Sequence, residues 1–506
     1  MNLSDASWHT RDRLHKVLIA NRGEIAVRII RACREMGLRS VAVFSEADRA
    51  ALHVREADEA VLLGGPLPSE SYLSIERIIA AARQTGAEAI HPGYGFLSEN
   101  ADFAEAVQSA GLTFVGPPPS AIRAMGDKAE SKLRMQKAGV PTIPGTQGLE
   151  SDADFAQAAH SMGYPVLVKA SAGGGGKGMQ VVWGPAALQD ELEAARRVAR
   201  SAFGDDRLLL EKYFKSARHV EFQVLGDQHG NLVHLFEREC SVQRRHQKII
   251  EETPSPLLTA EMREQMGRAA VTAAAAVGYT NAGTIEFLVD PESMSFYFLE
   301  MNTRLQVEHA VTELLTGLDL VQWQIRIAAG EPFPLNQNQL TRRGHALECR
   351  VYAEDAAQDF LPSTGGLLQV VEPRGPGIRL DSGIAAGGEV SHYYDPLLAK
   401  LIVHAEDRAA AIRRMQAALR DYVIHGVTTN IDFLQDILAH PDFQNGSVST
   451  TWVEEVFEWQ PPAPLIAALL AAAIADTRMP ATGAAPLGGG ETDPFSPWNS
   501  VQGFRN

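Results

Sequence analysis

The sequence predicts a multidomain protein that combines an α/β region with α+β regions. Of its 506 residues 45% are hydrophobic, so the chain can bury several cores, and at about 150 residues per domain its length suggests roughly three domains. Short apolar strands alternate with amphipathic helices in the first part of the chain, which predicts a parallel sheet covered by helices. Paired strands separated by tight turns predominate from about residue 128, which predicts antiparallel sheet.

The first predicted domain spans residues 14–127. It opens with the apolar strand KVLIA at 16–20, continues with the helical pattern GEIAVRIIRACREMG and the strand SVAVFS, and repeats this alternation as far as LTFVG. The run GPPPS at 116–120 closes the domain, because consecutive prolines end regular structure.

The second predicted domain, residues 128–335, is α+β. The strands PVLVKA and MQVVW flank a glycine run, and turns such as GDQHGN and DPES separate further strands, which indicates hairpins. Helical patterns lie among the strands at 186–202, 259–277 and 318–329.

The third predicted domain spans residues 341–456. It begins near GHALECRVYAED and contains a helix within DRAAAIRRMQAALRDYVIHG and a second helix around 430–439. Residues 457–506 are rich in Ala, Gly and Pro and are interpreted as a linker or the truncated start of a following region.

Composition excludes several classes of function. The formal net charge of −16 argues against nucleic acid as the main partner, because phosphate backbones attract basic surfaces. The three cysteines form no CxxC pair, which favours a reducing, cytoplasmic location over a disulfide framework or a zinc site. The longest apolar run, PLIAALLAAAIA, is too short for a membrane span of about 20 residues, so we expect a soluble protein with no membrane partner.

The run SAGGGGKGM at 171–179 is the first candidate binding motif. It contains a G-x-G-x-x-G match at Gly173, Gly175 and Gly178, but the strand pattern that follows does not fit a dinucleotide site, which needs a helix there. Gly178 follows Lys177 where a Walker A loop needs Ser or Thr. The run therefore predicts a glycine-rich hairpin whose N–H groups approach phosphate oxygens, the alternative being an ordinary mobile loop.

The segment EMNTRLQVEH at 300–309 is the second candidate binding motif. Side chains of a strand alternate between its two faces. If the strand continues to Glu308, five polar side chains lie on the same face: Glu300, Asn302, Arg304, Gln306 and Glu308. The DPES turn would set Glu286, an acid inside the apolar strand GTIEFLVD, beside Glu300 and Asn302. Two carboxylates and an amide oxygen suit Mg²⁺, whereas the alternative is a solvated strand face with salt bridges.

The basic run SVQRRHQK at 241–248 is the third candidate binding motif. Alone it is an ordinary solvated face, but beside an anion site it can bind a small oxyanion or nucleotide hydroxyls. Lys128 in MGDK and His219 in RHVEF are uninformative on their own. Together the three motifs suit the phosphates of ATP.

Nine motifs in the expected order strongly resemble biotin carboxylase, the ATP-grasp subunit or domain of acetyl-, propionyl- and methylcrotonyl-CoA carboxylases and pyruvate carboxylase. They cover roughly residues 14–455: IANRGEIAVRIIRACREMG, HPGYGFLSEN, MGDK, VKASAGGGGKGM, CSVQRRHQKIIEE, EFLVD, FLEMNTRLQVEH, GHALECRVYAED and GVTTNIDFL. The resemblance implies a Rossmann-like N-terminal domain, an ATP-grasp domain with a mobile lid at about 142–215, and a C-terminal α+β domain. It also implies ATP-dependent carboxylation of carrier-bound biotin with bicarbonate.

The same resemblance implies the site residues. ATP would be held by Lys128, Lys169, the backbone of Gly175 and Gly176, Glu211, the backbone at Lys212 and Phe214, His219, Gln243 and His246. Two Mg²⁺ or Mn²⁺ ions would be bound by Glu286, Glu300 and Asn302. Bicarbonate and biotin would contact Lys248, Arg304, Gln306, the N–H of Val307, Glu308 and Arg350.

In the implied reaction Glu308 deprotonates bicarbonate, which attacks the γ-phosphate to form carboxyphosphate. Phosphate released from this intermediate then deprotonates biotin, and Arg350 stabilises the resulting enolate. We expect Arg304 to lie next to Glu308 and to keep it ionised, because a nearby cation lowers a carboxyl pKa.

Biotin should reside on a separate carrier protein or domain, because the Met-Lys pair of the biotin attachment site is missing from this chain. We expect a carboxyltransferase subunit as a further partner, a homodimer or larger carboxylase complex, and a role in acyl-CoA carboxylation. The ending DPFSPWNSVQGFRN favours a truncated α-subunit. Two alternatives remain: another ATP-grasp ligase, such as half of a carbamoyl phosphate synthase, and a non-catalytic nucleotide-binding scaffold.

Overall fold

A computed structural model describes residues 14–146, 148–149, 151–170 and 179–462, leaving out the side chains of residues 128, 129, 202 and 203. The chain divides into two units, Met1–Gln460 and Pro461–Asn506, and all that follows concerns the first. Within the described residues, no helix combines the length and the apolar character that crossing a membrane requires.

A parallel sheet with the strand order β3-β2-β1-β4-β5 forms first. Its strands are β1 (Lys16–Ile19), β2 (Arg39–Ser45), β3 (Glu59–Gly64), β4 (Ala89–His91) and β5 (Thr113–Phe114). The helices of this region are α1 (Gly23–Met36), α2 (Leu52–Glu56), α3 (Ile75–Thr85), α4 (Ala101–Ser109) and α5 (Pro119–Gly126). Val17, Leu18 and Ile19 are all buried, because helices cover both faces of the sheet. The predicted strand–helix alternation is confirmed.

A small antiparallel sheet with the order β6-β9-β7-β8 follows. Its strands are β6 (Gly145–Thr146), β7 (Val166–Ala170), β8 (Met179–Val182) and β9 (Leu208–Lys212), and the helices around it are α6 (Lys128–Lys137), α7 (Asp152–Met162) and α8 (Leu188–Phe203). β7 and β8 pair from Val166 opposite Val182 to Lys169 opposite Met179. The strands that flank the glycine run therefore form the predicted hairpin, while residues 171–178 lie outside the described residues.

The largest sheet is antiparallel, with the order β14-β13-β10-β11-β12-β15-β22-β20. Its strands are β10 (Arg218–Gly226), β11 (Leu232–Arg244), β12 (Gln247–Thr253), β13 (Asn281–Asp290), β14 (Ser295–Asn302), β15 (His345–Tyr352), β20 (Ile378–Ser382) and β22 (Leu397–Ala405). Its helices include α9 (Ala260–Ala275), α10 (His309–Thr316) and α11 (Leu320–Ala328). Since β12 pairs with β15, strands from before residue 335 and after residue 341 belong to one continuous sheet.

The remaining elements complete the C-terminal part of the described chain. The strands are β16 (Glu354–Asp355), β17 (Leu361–Pro362), β18 (Gly365–Gly366), β19 (Gln369–Val371), β21 (Glu389–Val390) and β23 (Val423–His425). The helices are α12 (Arg408–Asp421), α13 (Ile431–Ala439), α14 (Pro441–Asn445) and α15 (Trp452–Glu455). α12 packs its buried residues, among them Ile412 and Met415, onto β15 and β22.

One predicted strand is shorter than expected. β14 ends at Asn302, residues 303–308 form bends and a turn, and Glu308 precedes α10 as its N-cap residue. The expectation of an extended strand as far as Glu308 is therefore wrong. The backbone of Glu308, at φ −82° and ψ 16°, has already left the extended region.

A buried arginine joins three strands to a helix at the centre of the large sheet. Arg238 on β11 is fully buried and donates to Glu221 Oε1 at 2.6 Å and to Gln223 Oε1 at 2.8 Å, both on β10. It also donates to Thr284 Oγ1 on β13 and to Thr312 Oγ1 on α10, each at 3.0 Å. Removing this cation would leave a buried carboxylate and several polar oxygens without their donor.

We therefore expect Arg238→Met to lower the free energy of unfolding by about 3–5 kcal/mol, the usual cost of removing one partner of a buried ion pair. Thermal unfolding of the purified chain measures the loss. Arg268→Met is the matched control, since Arg268 and Glu264 form an exposed pair, with 63% and 69% of their side chains accessible, and such pairs contribute little. Equal midpoints for the two variants would contradict the structural role of Arg238.

Candidate active site

A lysine surrounded by three buried carboxylates forms the centre of the candidate site. Lys248 on β12 donates through Nζ to Glu221 Oε2 at 2.5 Å, Glu286 Oε1 at 2.9 Å and Glu308 Oε1 at 2.7 Å. The glutamates come from β10, from β13 and from the start of α10. Burial opposes the charged lysine, but the three carboxylates nevertheless raise the pKa of Lys248 well above its usual value.

Glu308 has both carboxylate oxygens paired with cations. Oε1 accepts from Lys248, and Oε2 accepts from Arg350 on β15 at 2.8 Å. Although burial favours the neutral acid, Lys248 and then Arg350 hold the pKa of Glu308 well below its usual range. The site therefore holds a fully buried, ionised carboxylate.

Arg304 does not pair with Glu308, contrary to the expectation from the sequence. Its guanidinium donates to Glu99 Oε2 at 3.0 Å, to Gln306 Oε1 at 2.8 Å and to Asn302 Oδ1 at 3.2 Å. The physical reason is the turn at residues 303–308, which removes the strand alternation assumed between Arg304 and Glu308. Lys248 and Arg350, and not Arg304, are the cations that keep Glu308 ionised.

The predicted metal ligands lie together. Glu286 faces Glu300 in the β13–β14 ladder, and Asn302 Nδ2 donates to Glu286 Oε1 at 2.8 Å. Gln306 Nε2 approaches the same oxygen at 3.2 Å, and His219 Nε2 lies 3.1 Å from Glu286 Oε2. Burial would raise the pKa of Glu286, but Lys248 and then His219 hold it well below its usual value. Two glutamate side chains and a neighbouring asparagine amide offer hard oxygen donors, so these residues fit a magnesium or manganese ion.

Glu221 also belongs to this cluster, although it is not among the residues predicted from the sequence. Ligand atoms of His219, Glu221 and Glu286 lie within 4.8 Å of one another, a second arrangement able to hold a cation. Glu221 is fully buried, and burial raises its pKa. The sequence pattern that indicates Glu286, an acidic residue inside an apolar strand, also occurs at Glu221 in HVEFQV and could have identified it.

The candidate nucleotide residues on the small sheet contact one another. Lys169 Nζ on β7 donates to Glu211 Oε2 on β9 at 2.6 Å, and Lys132 Nζ donates to Glu211 Oε1 at 2.8 Å. These lysines outweigh burial and lower the pKa of Glu211. The backbone N–H of Lys212 donates to Pro144 O at 2.8 Å, and the Phe214 ring stacks on Tyr297 with centroids 5.1 Å apart.

The other candidate nucleotide residues lie on or near the large sheet. Gln243 Nε2 is 2.8 Å from His219 Nδ1, and His246 is exposed in a turn where it adopts a φ of 65°. Lys128 begins α6, but its side chain is outside the description, and Gly175 and Gly176 lie outside the described residues.

A cavity of about 590 Å³ opens beside the ionised Glu308. Arg304, Val307 and Arg350, all predicted from the resemblance, line it together with Tyr94, Gln247 and Tyr352, which sequence analysis did not select. The carbonyl of Val307 accepts a hydrogen bond from the buried Lys400 Nζ at 2.6 Å, which fixes that peptide at the cavity wall. A small anion in this cavity would meet the guanidinium groups of Arg22, Arg304 and Arg350, the last of which is bonded to Glu308.

Three family models match the chain. "Biotin carboxylase, N-terminal domain" matches residues 13–122, "Carbamoyl-phosphate synthase L chain, ATP binding domain" matches 127–336, and "Biotin carboxylase C-terminal domain" matches 348–455. The chain is 54% identical over 445 residues to the biotin carboxylase of Nostoc sp., an alignment that covers 88% of this chain and 99% of that protein.

It is also 54% identical over 443 residues to the mitochondrial methylcrotonoyl-CoA carboxylase subunit alpha of Oryza sativa, with 87% of this chain aligned and 60% of that subunit's length spanned. Among solved structures, the biotin carboxylase domain dimer of Hydrogenobacter thermophilus 2-oxoglutarate carboxylase, in complex with MgADP, ADP and bicarbonate, superimposes with a TM-score of 0.83. That domain is 49% identical, and the match covers 89% of this chain and 100% of that chain.

The contacts of Lys248 with Glu221, Glu286 and Glu308 predict how the stability of the fold depends on this lysine. Lys248→Met should destabilise the fold by about 3–5 kcal/mol near neutral pH, because it leaves buried carboxylates without their cation. The pKa values of Glu286 and Glu308 are lowered in the folded state, so their ionised forms stabilise the fold at pH values above their unfolded-state pKa of about 4.3. This contribution to the free energy of unfolding is lost as the pH falls through the folded-state pKa values. The difference from wild type should therefore shrink in acid.

Thermal midpoints measured between neutral and acidic pH test this dependence. Lys215→Met, at an exposed position, is the matched control and should follow the wild type at every pH. A Lys248→Met deficit that stays constant on acidification would mean that Lys248 is not the cation that keeps these carboxylates ionised.

Proposed function

Because the chain belongs to the biotin carboxylase family, and is thus a biotin carboxylase, an ATP-dependent ligase, we propose that its lysine–carboxylate centre activates bicarbonate. The single observation that supports this most is Glu308, a buried carboxylate kept ionised by Lys248 and Arg350 beside the cavity. A base that is already deprotonated and shielded from bulk water can accept a proton from a bound substrate.

Bicarbonate would occupy the part of the cavity next to Glu308. Lys248 and Arg304 are the cations for its charge, and Gln306 and the N–H of Val307 are the neutral donors. Gln306 is buried and already bonded to Arg304, and Lys400 holds the carbonyl of Val307, so both residues are restrained before substrate binds.

ATP would lie between the small sheet and the large sheet. Lys128, Lys169 and the backbone of Gly175 and Gly176 would bind its phosphates, a proposal supported by the antiparallel pairing of β7 and β8, the strands before and after the glycine run. Adenine and ribose would contact Glu211, the backbone at Lys212 and Phe214, His219, Gln243 and His246. Glu286, Glu300 and Asn302 would hold magnesium or manganese, which neutralises phosphate charge when bound.

The proton transfers then follow from the side chains. The Glu308 carboxylate takes the proton of bicarbonate, and a bicarbonate oxygen attacks the γ-phosphorus, so that the bond to ADP breaks and carboxyphosphate forms. Carboxyphosphate splits into CO₂ and phosphate, and that phosphate removes the proton from the biotin ureido nitrogen. The ureido anion attacks CO₂. Arg350, which contacts the base and lines the cavity, would stabilise this anion by a charge-assisted hydrogen bond.

For the whole protein we propose the first half-reaction of an acyl-CoA carboxylase. The 54% identity to a methylcrotonoyl-CoA carboxylase subunit supports this. The similarity to a 2-oxoglutarate carboxylase domain favours a 2-oxo acid as the alternative acceptor of the carboxyl group. A biotin carrier and a carboxyltransferase would be the partners, and the dimer of the Hydrogenobacter domain supports a homodimer. The buried thiols of Cys33, Cys240 and Cys349 fit the proposed cytoplasmic location.

The rival ATP-grasp ligase would use ammonia or an amine. The ATP-binding model that matches here is named after carbamoyl-phosphate synthase, but the biotin carboxylase models match on either side of it. Bicarbonate-dependent ATP hydrolysis stimulated by free biotin tests the proposal directly. Turnover that requires ammonia instead would overturn it.

Glu308→Gln should lower bicarbonate-dependent turnover by about 100-fold or more, the usual contribution of a general base, while ATP still binds. The amide keeps an oxygen for Lys248 or Arg350 but cannot accept the substrate proton. Steady-state rates with free biotin and equilibrium binding of a nucleotide separate the two effects. The exposed Glu389→Gln is the control. Full activity of Glu308→Gln would refute the role of Glu308 as base.

Glu300→Gln should weaken manganese binding in the presence of ADP by about tenfold or more, because a neutral amide replaces an anionic ligand. Titration of Mn²⁺ followed by electron paramagnetic resonance measures the free ion. Glu292→Gln, on the exposed turn between β13 and β14, should bind manganese like the wild type. Identical affinities for both variants would remove Glu300 from the ligand set.

A further inference from the structure

Two buried carboxyl groups behind Arg350 have no role in the steps above. Glu251 on β12 and Glu348 on β15 are fully buried and lie directly opposite each other in the β12–β15 ladder. Residues that face each other in an antiparallel ladder project to the same side of the sheet. Arg350, two residues beyond Glu348, projects to that side as well.

Arg350 is shared between this pair and the proposed base. Its Nε donates to Glu251 Oε1 at 2.6 Å. The terminal nitrogen Nη2 donates to Glu308 Oε2 at 2.8 Å and also pairs with Glu251 Oε1. Within the described part of the chain, the second oxygen of Glu251 and both oxygens of Glu348 have no hydrogen-bond partner. Three buried carboxyl oxygens thus lie unsatisfied behind the arginine that contacts the base.

The charged groups around the pair do not compensate two negative charges. Lys248 is bonded to Glu308, and Arg350 is shared between Glu308 and Glu251. Lys400, a cation on β22 that acts on Glu348, donates to the Val307 carbonyl at 2.6 Å and lies 3.3 Å from Glu24 Oε1. Two facing carboxylates in a dry environment cannot both stay ionised without partners. Accordingly, burial raises the pKa of Glu348 well above its usual value and that of Glu251 to about 7.

We propose that Glu251 is the positioning residue for Arg350 and that Glu348 is held beside it as a neutral carboxylic acid, so that the pair has one negative charge in the active enzyme. One charge fixes the Arg350 guanidinium against Glu251 while leaving its other edge for Glu308 and the ureido anion. This inference rests on the proposed role of Arg350 in biotin carboxylation.

The arrangement makes activity sensitive to alkaline pH. Loss of the remaining proton would place a second negative charge behind Arg350, where it competes with Glu308 and with the ureido anion for the guanidinium. The two carboxyls titrate as one coupled unit, so the alkaline limb of the rate profile belongs to the pair. Neutral Glu348 also makes the fold less stable at high pH, because an acid with a raised folded-state pKa loses stabilisation as pH rises.

Glu348→Gln tests the neutral state of Glu348. The amide has nearly the same shape, cannot ionise and loses no hydrogen bond, so we expect the variant to fold. Its thermal midpoint should rise relative to the wild type by an amount that grows with pH. The alkaline limb of bicarbonate- and biotin-dependent turnover should move upward by about one pH unit or more. Glu348→Met, of similar volume, repeats the stability test should the amide be poorly tolerated.

Glu252→Gln is the matched control on the same strand. Glu252 is buried and pairs with His345 and Arg408, and against the effect of burial these two lower its pKa to about 2, so its amide variant should lose stability and leave the alkaline limb in place. A stability difference for Glu348→Gln that does not grow with pH would overturn the neutral assignment. An unmoved alkaline limb would overturn its connection to Arg350.

Glu251→Gln tests the positioning role. A neutral amide holds the guanidinium more weakly, so kcat should fall by about tenfold while the KM for ATP stays the same. An unchanged kcat would overturn the positioning role. A wild-type chain without bicarbonate-dependent turnover would instead overturn the proposed function, and the pH dependence of the Glu348→Gln midpoint would still decide whether Glu348 is neutral.

Discussion

The ammonium group of Lys248 among Glu221, Glu286 and Glu308 is the contact on which the site depends. Each of these carboxylates is buried, and a buried carboxylate without a cation is replaced by its neutral acid. Lys248 is the largest charge that lowers the pKa of both Glu286 and Glu308, although the two glutamates come from separate elements. Arg238 is a second cation for Glu221, and Arg350, which lines the cavity, is a second cation for Glu308.

This concentration of charge requires the continuous large sheet. Glu221, Glu286 and Lys248 come from strands before residue 335, whereas Arg350 comes from β15, which joins the sheet through its pairing with β12. A chain without the C-terminal strands would retain the lysine but lose the second cation of Glu308. The second and third predicted domains thus share one antiparallel sheet, and Glu308 receives one cation from each of them.

Local patterns predicted the parts of the site that lie close together in the chain. The DPES turn and the strand alternation around it place Glu286 opposite Glu300, as the ladder confirms. Alternation cannot reveal that β14 stops at Asn302, since the polar residues continue at the same spacing through an irregular turn. The partners of Glu308 were missed for a different reason. Lys248 and Arg350 are 60 and 42 residues away in sequence, and ladder pairing between distant strands leaves no local signal.

The shared lysine also couples the two halves of the proposed reaction. Of its three hydrogen bonds, Lys248 donates one to Glu286, a proposed metal ligand, one to Glu308, the proposed base, and one to Glu221. A divalent ion bound by Glu286 would neutralise that carboxylate more strongly than a lysine can, which leaves the ammonium to Glu308, Glu221 and the incoming anion. Nucleotide loading and bicarbonate binding then favour the same position of one side chain. In the proposed reaction, Lys248 would therefore link ATP to bicarbonate, because it contacts both the proposed metal ligand Glu286 and the proposed base Glu308.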